Sequence, residues 1–131
     1  MIVDASALVA LLANGKGVPA MRGEELAAPD LLIPETLNVF WKLKRAGYRI
    51  PERSVVLTLL DEIRIVPSRS YAPRASELAD LLDHPVYDCL YLALAEAEAS
   101  VFLTADAVFA RKLRARGFRK RVQLLPVAQA R

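Results

Sequence analysis

Very short apolar runs alternate along this chain with longer segments of helical period, and no other feature restricts its fold so strongly. Met1–Val3, Leu26–Ala28, Ile65-Val66, Val101–Leu103 and Val122–Leu125 read as strands. Ser6 is placed to cap a helix through Leu8, Val9, Leu11 and Leu12, stopped by Asn14-Gly15. Gly15–Gly23 has loop character with room for one helical turn. Pro29-Asp30 opens a helical stretch on Leu31, Leu32, Leu37, Phe40 and Trp41 that closes at Gly47, with Pro34 as a point of break or restart. Pro51 starts a helix through Val55, Val56, Leu59, Leu60 and Ile63. Tyr71–Leu82 has helical spacing, an alanine- and leucine-rich helix runs from Pro85 to Glu98, and a basic amphipathic helix follows Asp106 and ends at Gly117.

Strands this short and apolar are covered on both faces, which points to a parallel sheet. The expected fold class is α/β, with a mainly parallel sheet of four to five short strands flanked by helices. At 131 residues, without internal repeats or linkers, the chain reads as one domain over 1–131. Its 54% hydrophobic and 25% charged content is globular rather than disordered. A single cysteine excludes an internal disulfide. No uncharged apolar stretch reaches the roughly 18 residues of a membrane span, and the first residues lack the basic start of a signal peptide. A soluble, cytoplasmic protein with no membrane partner is expected.

Acidic residues interrupt this apolar pattern at four places. In open parallel sheets, ligands bind outside the carboxyl ends of the strands. Asp4 follows the first strand, and Asp106 follows Val101–Leu103. Glu35 lies in LLIPETLNVFWK, with Asn38 one turn on; Asp88 lies in HPVYDCLYLALA, on a face with Tyr91, Leu92 and Ala95. Singly, each has a plain structural reading, as a helix cap or a solvent-facing acid. Together in one cleft, four ionised carboxylates would repel unless some were protonated or a cation neutralised them. All-oxygen ligation selects a hard ion such as Mg²⁺ or Mn²⁺, which suits phosphodiester hydrolysis.

Net charge is +3, and the basic residues are clustered. Arg111, Lys112, Arg114, Arg116, Arg119, Lys120 and Arg121 form one group without an acid; Lys42, Lys44, Arg45, Arg49 and Arg53 form another. Such clusters suit a polyanion or a solvated helix face, and they become informative only beside a phosphate-processing site. His84, before a proline, reads as a turn or surface residue, Cys89 as a small buried hydrophobe, and Phe40 and Trp41 as core or dimer contact.

MIVDASALVALL, PETLNVFWKL, HPVYDCLYLALAEA and VFLTADAVFARKL resemble, in order and spacing, the four motifs of PIN domains, and specifically the VapC branch. The resemblance covers nearly the whole chain. It implies that Asp4, Glu35, Asp88 and Asp106 form an acidic metal site. Asp4, Asp88 and Asp106 would ligate Mg²⁺ or Mn²⁺ directly or through water, and Glu35 would position water or metal. Ser6 and Thr104 match small hydroxyl positions that orient a metal-bound water, though capping and strand-end roles explain them equally. The implied activity is a metal-dependent endoribonuclease leaving 5′-phosphate and 3′-hydroxyl ends, with the helix from Arg111 holding RNA phosphates. Homodimerisation and a VapB-like antitoxin are the implied partners.

Two departures stand out. Gly15–Glu25 is short for the branch, and Ala107 and Val108 add no acid after Asp106, which leaves one metal or two open. The competing reading is a PIN-like module that grips RNA or protein without cutting it. Aspartyl-phosphate chemistry lacks its parts, since Ser6 stands where a haloacid-dehalogenase-type phosphatase needs a second aspartate.

Overall fold

The computed structural model describes residues 1–13 and 22–126. The expected helix stop at Asn14-Gly15 and most of the Gly15–Gly23 loop lie outside the described residues. Five short strands, β1 (Ile2–Val3), β2 (Ala27–Pro29), β3 (Arg64–Val66), β4 (Phe102–Thr104) and β5 (Val122–Leu124), form one sheet in the order β3-β2-β1-β4-β5. Every pairing is parallel. The helices are α1 (Ala5–Ala13), α2 (Leu32–Arg45), α3 (Arg53–Asp61), α4 (Ala72–Leu82), α5 (Val86–Ala97) and α6 (Ala107–Ala115), with short 3₁₀ turns at Ser68–Tyr71 and Arg119–Arg121. With the right-handed crossovers such connections take, α1–α3 cover one face and α4–α6 the other.

The expected α/β architecture is therefore the observed one, with local corrections. Pro29 ends β2 instead of opening a helix. Ala27 N–H bonds Met1 O toward β1, and Asp30 N–H bonds Val66 O toward β3. Pro29 thus turns its missing donor to the β1 side, where β1 has already ended, and no ladder bond is lost. Pro34 neither breaks nor restarts α2: it lies in the first turn, where its absent N–H is no loss. α2 and α6 end at the expected glycines, which adopt φ +88° at Gly47 and +91° at Gly117, a backbone that L side chains resist.

α5 is the central helix. Its seven consecutive residues Cys89–Ala95 are buried, and it packs on β1, β2, β4 and α4. A helix apolar all round has to be surrounded. Phe102 and Phe109 are fully buried and meet edge to face with ring centroids 5.9 Å apart, tying β4 to α6. Truncating either to alanine should cost about 3–5 kcal/mol.

Candidate active site

The strand order reverses between β1 and β4, and a crevice opens there beyond the strand ends. Four helices direct their N-termini at it. Asp4 caps α1: its Oδ1 accepts the Ala7 N–H at 2.8 Å, and its carbonyl accepts the Leu8 N–H. Glu35 and Asp88 lie in the first turns of α2 and α5. Asp106 caps α6, its Oδ1 accepting the Phe109 N–H at 3.1 Å. The cap readings weighed for Asp4 and Asp106 therefore hold, and a place in the cleft comes with them. The positive end of each helix dipole favours the carboxylate beside it and offsets part of the repulsion among the four.

Ser6 is not the cap expected of it; it sits in the first turn of α1 and serves Asp4. Ser6 Oγ donates to Asp4 Oδ1 at 2.7 Å and accepts the Ala105 N–H at 2.9 Å. Thr104 Oγ1 donates to Asp4 Oδ2 at 2.5 Å and accepts the Asp106 N–H at 3.1 Å. These two hydroxyls lie 3.2 Å apart, but each has its one proton on Asp4. Asp4 is only 7% exposed and Thr104 is fully buried. Burial pushes the Asp4 carboxyl up from 3.8 to about 6. The bonds from Thr104, Ala7 and Ser6 pull it back, and the charge of Asp88 adds a smaller upward push.

Glu35 and Asp88 are each held by one oxygen. Glu35 Oε1 accepts the Tyr91 hydroxyl at 2.5 Å. Burial raises the Glu35 pKa, the Tyr91 bond lowers it, and nearby Asp88 raises it again. The Tyr91 phenol is fully buried and its pKa is raised, by burial first and then by the bond to Glu35, so it stays a donor. Asp88 Oδ2 meets His84 Nε2 at 2.7 Å. His84 lies in the turn between α4 and α5, but its side chain is 10% exposed and stacks on Phe109 with ring centroids 4.1 Å apart. Of the turn or surface role expected of it, the surface part is corrected.

Asp4, Ser6, Glu35, Asp88 and Asp106 line one cleft of about 910 Å³; Thr104 lies behind Asp4. Among the described residues, the cleft's cations are Lys42 and Arg49. Residues of the basic group from Arg111 do not line it: Lys112 bonds Asp83 O, and Arg121 bonds Ser100 O. Glu35, Asn38, Val39 and Lys42 share the cleft-facing side of α2, so the spacing of Lys42 from Glu35 already pointed to it. Tyr91 and His84 also carried a signal. A buried tyrosine needs a partner for its hydroxyl, and His84 stands four residues before Asp88.

Among the described residues, no three Asp, Glu, His or Cys side chains stand close enough together to cage a metal ion. Mg²⁺ does not require a cage; it keeps several waters and binds through one or two carboxylates plus substrate phosphates. The donor set fits such an ion. Glu35, Asp88 and Asp106 each have one oxygen fixed by a protein donor, while Glu35 Oε2, Asp88 Oδ1 and Asp106 Oδ2 accept no hydrogen bond among the described residues. Cys89 offers no alternative chemistry, since it is buried and burial pushes its thiol up to about 11.

A family model described as "PIN domain" matches residues 1–114, and the chain belongs to the PIN-domain family. PIN domains are generally nuclease modules that use divalent metal ions. Among solved structures, the crystal structure of PAE2754 from Pyrobaculum aerophilum is similar, at 28% identity and a TM-score of 0.67. The match covers 85% of this chain and 77% of that one. No curated protein sequence matches significantly.

Proposed function

We propose that this chain is an Mg²⁺- or Mn²⁺-dependent endoribonuclease and the toxin of a VapBC-type toxin–antitoxin pair. One observation carries the nuclease reading: four carboxylates distant in sequence line one cleft at the carboxyl edge of the sheet, three of them with an oxygen left open. Asp4, Asp88 and Asp106 hold the ion directly or through water, and Glu35 positions water beside it. The bound ion supplies Lewis-acid activation of water and neutralises charge on the phosphodiester. Lys42 and Arg49 hold RNA phosphates at the cleft. Glu35, with its pKa raised, takes up a proton at Oε2 more readily than an ordinary carboxylate. Ser6 and Thr104 fix the Asp4 carboxylate in place.

An apolar groove between α2 and α3, lined by Leu37, Phe40, Trp41, Ile50, Val56 and Leu57, supports a contact with a VapB-like antitoxin or a second copy. Trp41 is 53% exposed there, more than a lone core aromatic would be. The substrate on this reading is cytoplasmic RNA. Among the described residues, no helix is long and apolar enough to cross a membrane.

RNA cleavage with Mg²⁺ or Mn²⁺, repeated in chelator and with Asp4→Asn and Asp88→Asn, tests the reading. We expect products with 5′-phosphate ends, and a loss of at least about 100-fold with either variant. Full activity surviving both chelator and substitution overturns the carboxylate–metal mechanism. Tight RNA binding without cleavage under either metal favours the binding-module reading instead. The toxin role is tested separately, by growth arrest on expression and its relief by the product of the neighbouring gene.

A further inference from the structure

We infer that His84 is a positioning residue of the metal site, set by Lys112 to hold Oδ2 of Asp88 and leave Oδ1 for the ion. The inference rests on the metal-dependent reading above and adds a residue that none of the four acidic motifs contains as an acid. His84 Nε2 lies 2.7 Å from Asp88 Oδ2, one helical turn away. Its other nitrogen, Nδ1, faces the Lys112 ammonium at 3.4 Å. An ammonium can only donate, so Nδ1 accepts and the ring proton sits on Nε2, pointing at Asp88. Lys112 is itself anchored, donating to the Asp83 carbonyl at 2.8 Å.

The ring has little freedom to leave this arrangement. It stacks on Phe109 with centroids 4.1 Å apart and planes 18° from parallel, and Phe109 is fully buried. α6 thus supplies both the platform under His84, Phe109, and, through Lys112, the group that selects its tautomer. Asp88 Oδ1 accepts no bond among the described residues and is the oxygen left for the ion. Partners that orient a ligand in this way typically matter about 10–100-fold in metal affinity.

Charge alone makes the opposite forecast for one variant. If Lys112 acted only as a cation near the acids, removing it would tighten binding of a divalent ion. If it acts through His84, removing it loosens binding.

The test is Mn²⁺ binding to the full chain without RNA, by titration calorimetry, with thermal unfolding in chelator as the control for folding. His84→Phe keeps a ring on Phe109 and loses the donor, and we expect its Mn²⁺ dissociation constant to rise about 10-fold or more. His84→Gln carries an N–H donor at the place of Nε2 and should stay within about 3-fold of wild type. Lys112→Met should weaken binding. If His84→Phe does not fold, His84→Asn against His84→Gln decides the same point, since the asparagine amide ends short of Asp88. Wild-type affinity in the variants lacking the donor, or tighter binding in Lys112→Met, overturns the inference while the metal site stands. A wild-type chain that binds no Mn²⁺ overturns the metal reading itself, and this inference with it.

Discussion

Replacing Asp4 with asparagine should stabilise the metal-free protein while abolishing its activity. Burial raises the Asp4 carboxyl from 3.8 to about 6, so the folded chain holds this proton more tightly than the unfolded chain. Stability from this group is therefore greatest below about pH 4, falls as pH rises to about 6, and stays reduced above that. A tenfold change in proton affinity is about 1.4 kcal/mol, so the penalty at neutral pH is about 3 kcal/mol. Asparagine removes the buried charge and keeps the bonding pattern workable. Its oxygen accepts from Ala7 N–H and Ser6, and its amide donates to Thr104. The Thr104 proton then turns to Ser6 Oγ, 3.2 Å away, a contact with no proton of its own in the wild type. Weaker neutral bonds cost about 1 kcal/mol. We expect Asp4→Asn to be about 2 kcal/mol more stable in urea at pH 7.5 in chelator, with the gap closing toward pH 4. Saturating Mn²⁺ should stabilise the wild type and not the variant. A variant less stable than wild type at pH 7.5, or a gap independent of pH, refutes the reasoning.

Three further outcomes follow from the same geometry. Tyr91→Phe leaves Glu35 Oε1 without its donor, and RNA cleavage assayed across Mg²⁺ concentrations should fall about 10–100-fold with stability lowered by about 1–2 kcal/mol. Lys42→Ala with Arg49→Ala should weaken RNA binding and flatten its salt dependence, by a slope of about 2 in a log–log titration, with Mn²⁺ affinity not weakened. Thr36 is fully buried on α2, and its hydroxyl has no partner among the described residues, so Thr36→Val should raise stability by about 1 kcal/mol in urea unfolding.

What the sequence made legible was whatever depends on period and on strand ends. Met1–Val3 running into Asp4, and Val101–Leu103 running toward Asp106, placed two carboxylates at one edge of a parallel sheet before any coordinates. Boundaries moved where a neighbour decided them. Pro29 reads as a helix opener in isolation and is a strand residue only because β1 ends beside it. The basic helix from Arg111 was legible as charge and not as direction: Lys112 turns to Asp83 and His84, while the cleft takes its cations from Lys42 and Arg49. The spacing of His84 from Asp88 was legible, but the packing around its ring was hidden for the same reason. Its surroundings are Phe109 and Lys112, more than twenty residues away along the chain, and a lone histidine before a proline carries no trace of them.

Anomalous diffraction from crystals grown with Mn²⁺ bears most directly on the claim that these carboxylates work as one metal site. A single strong peak, or a close pair, is expected in the cleft against Asp4 and Asp88, lost in Asp88→Asn. Cleavage-competent protein with no manganese in that cleft would contradict it.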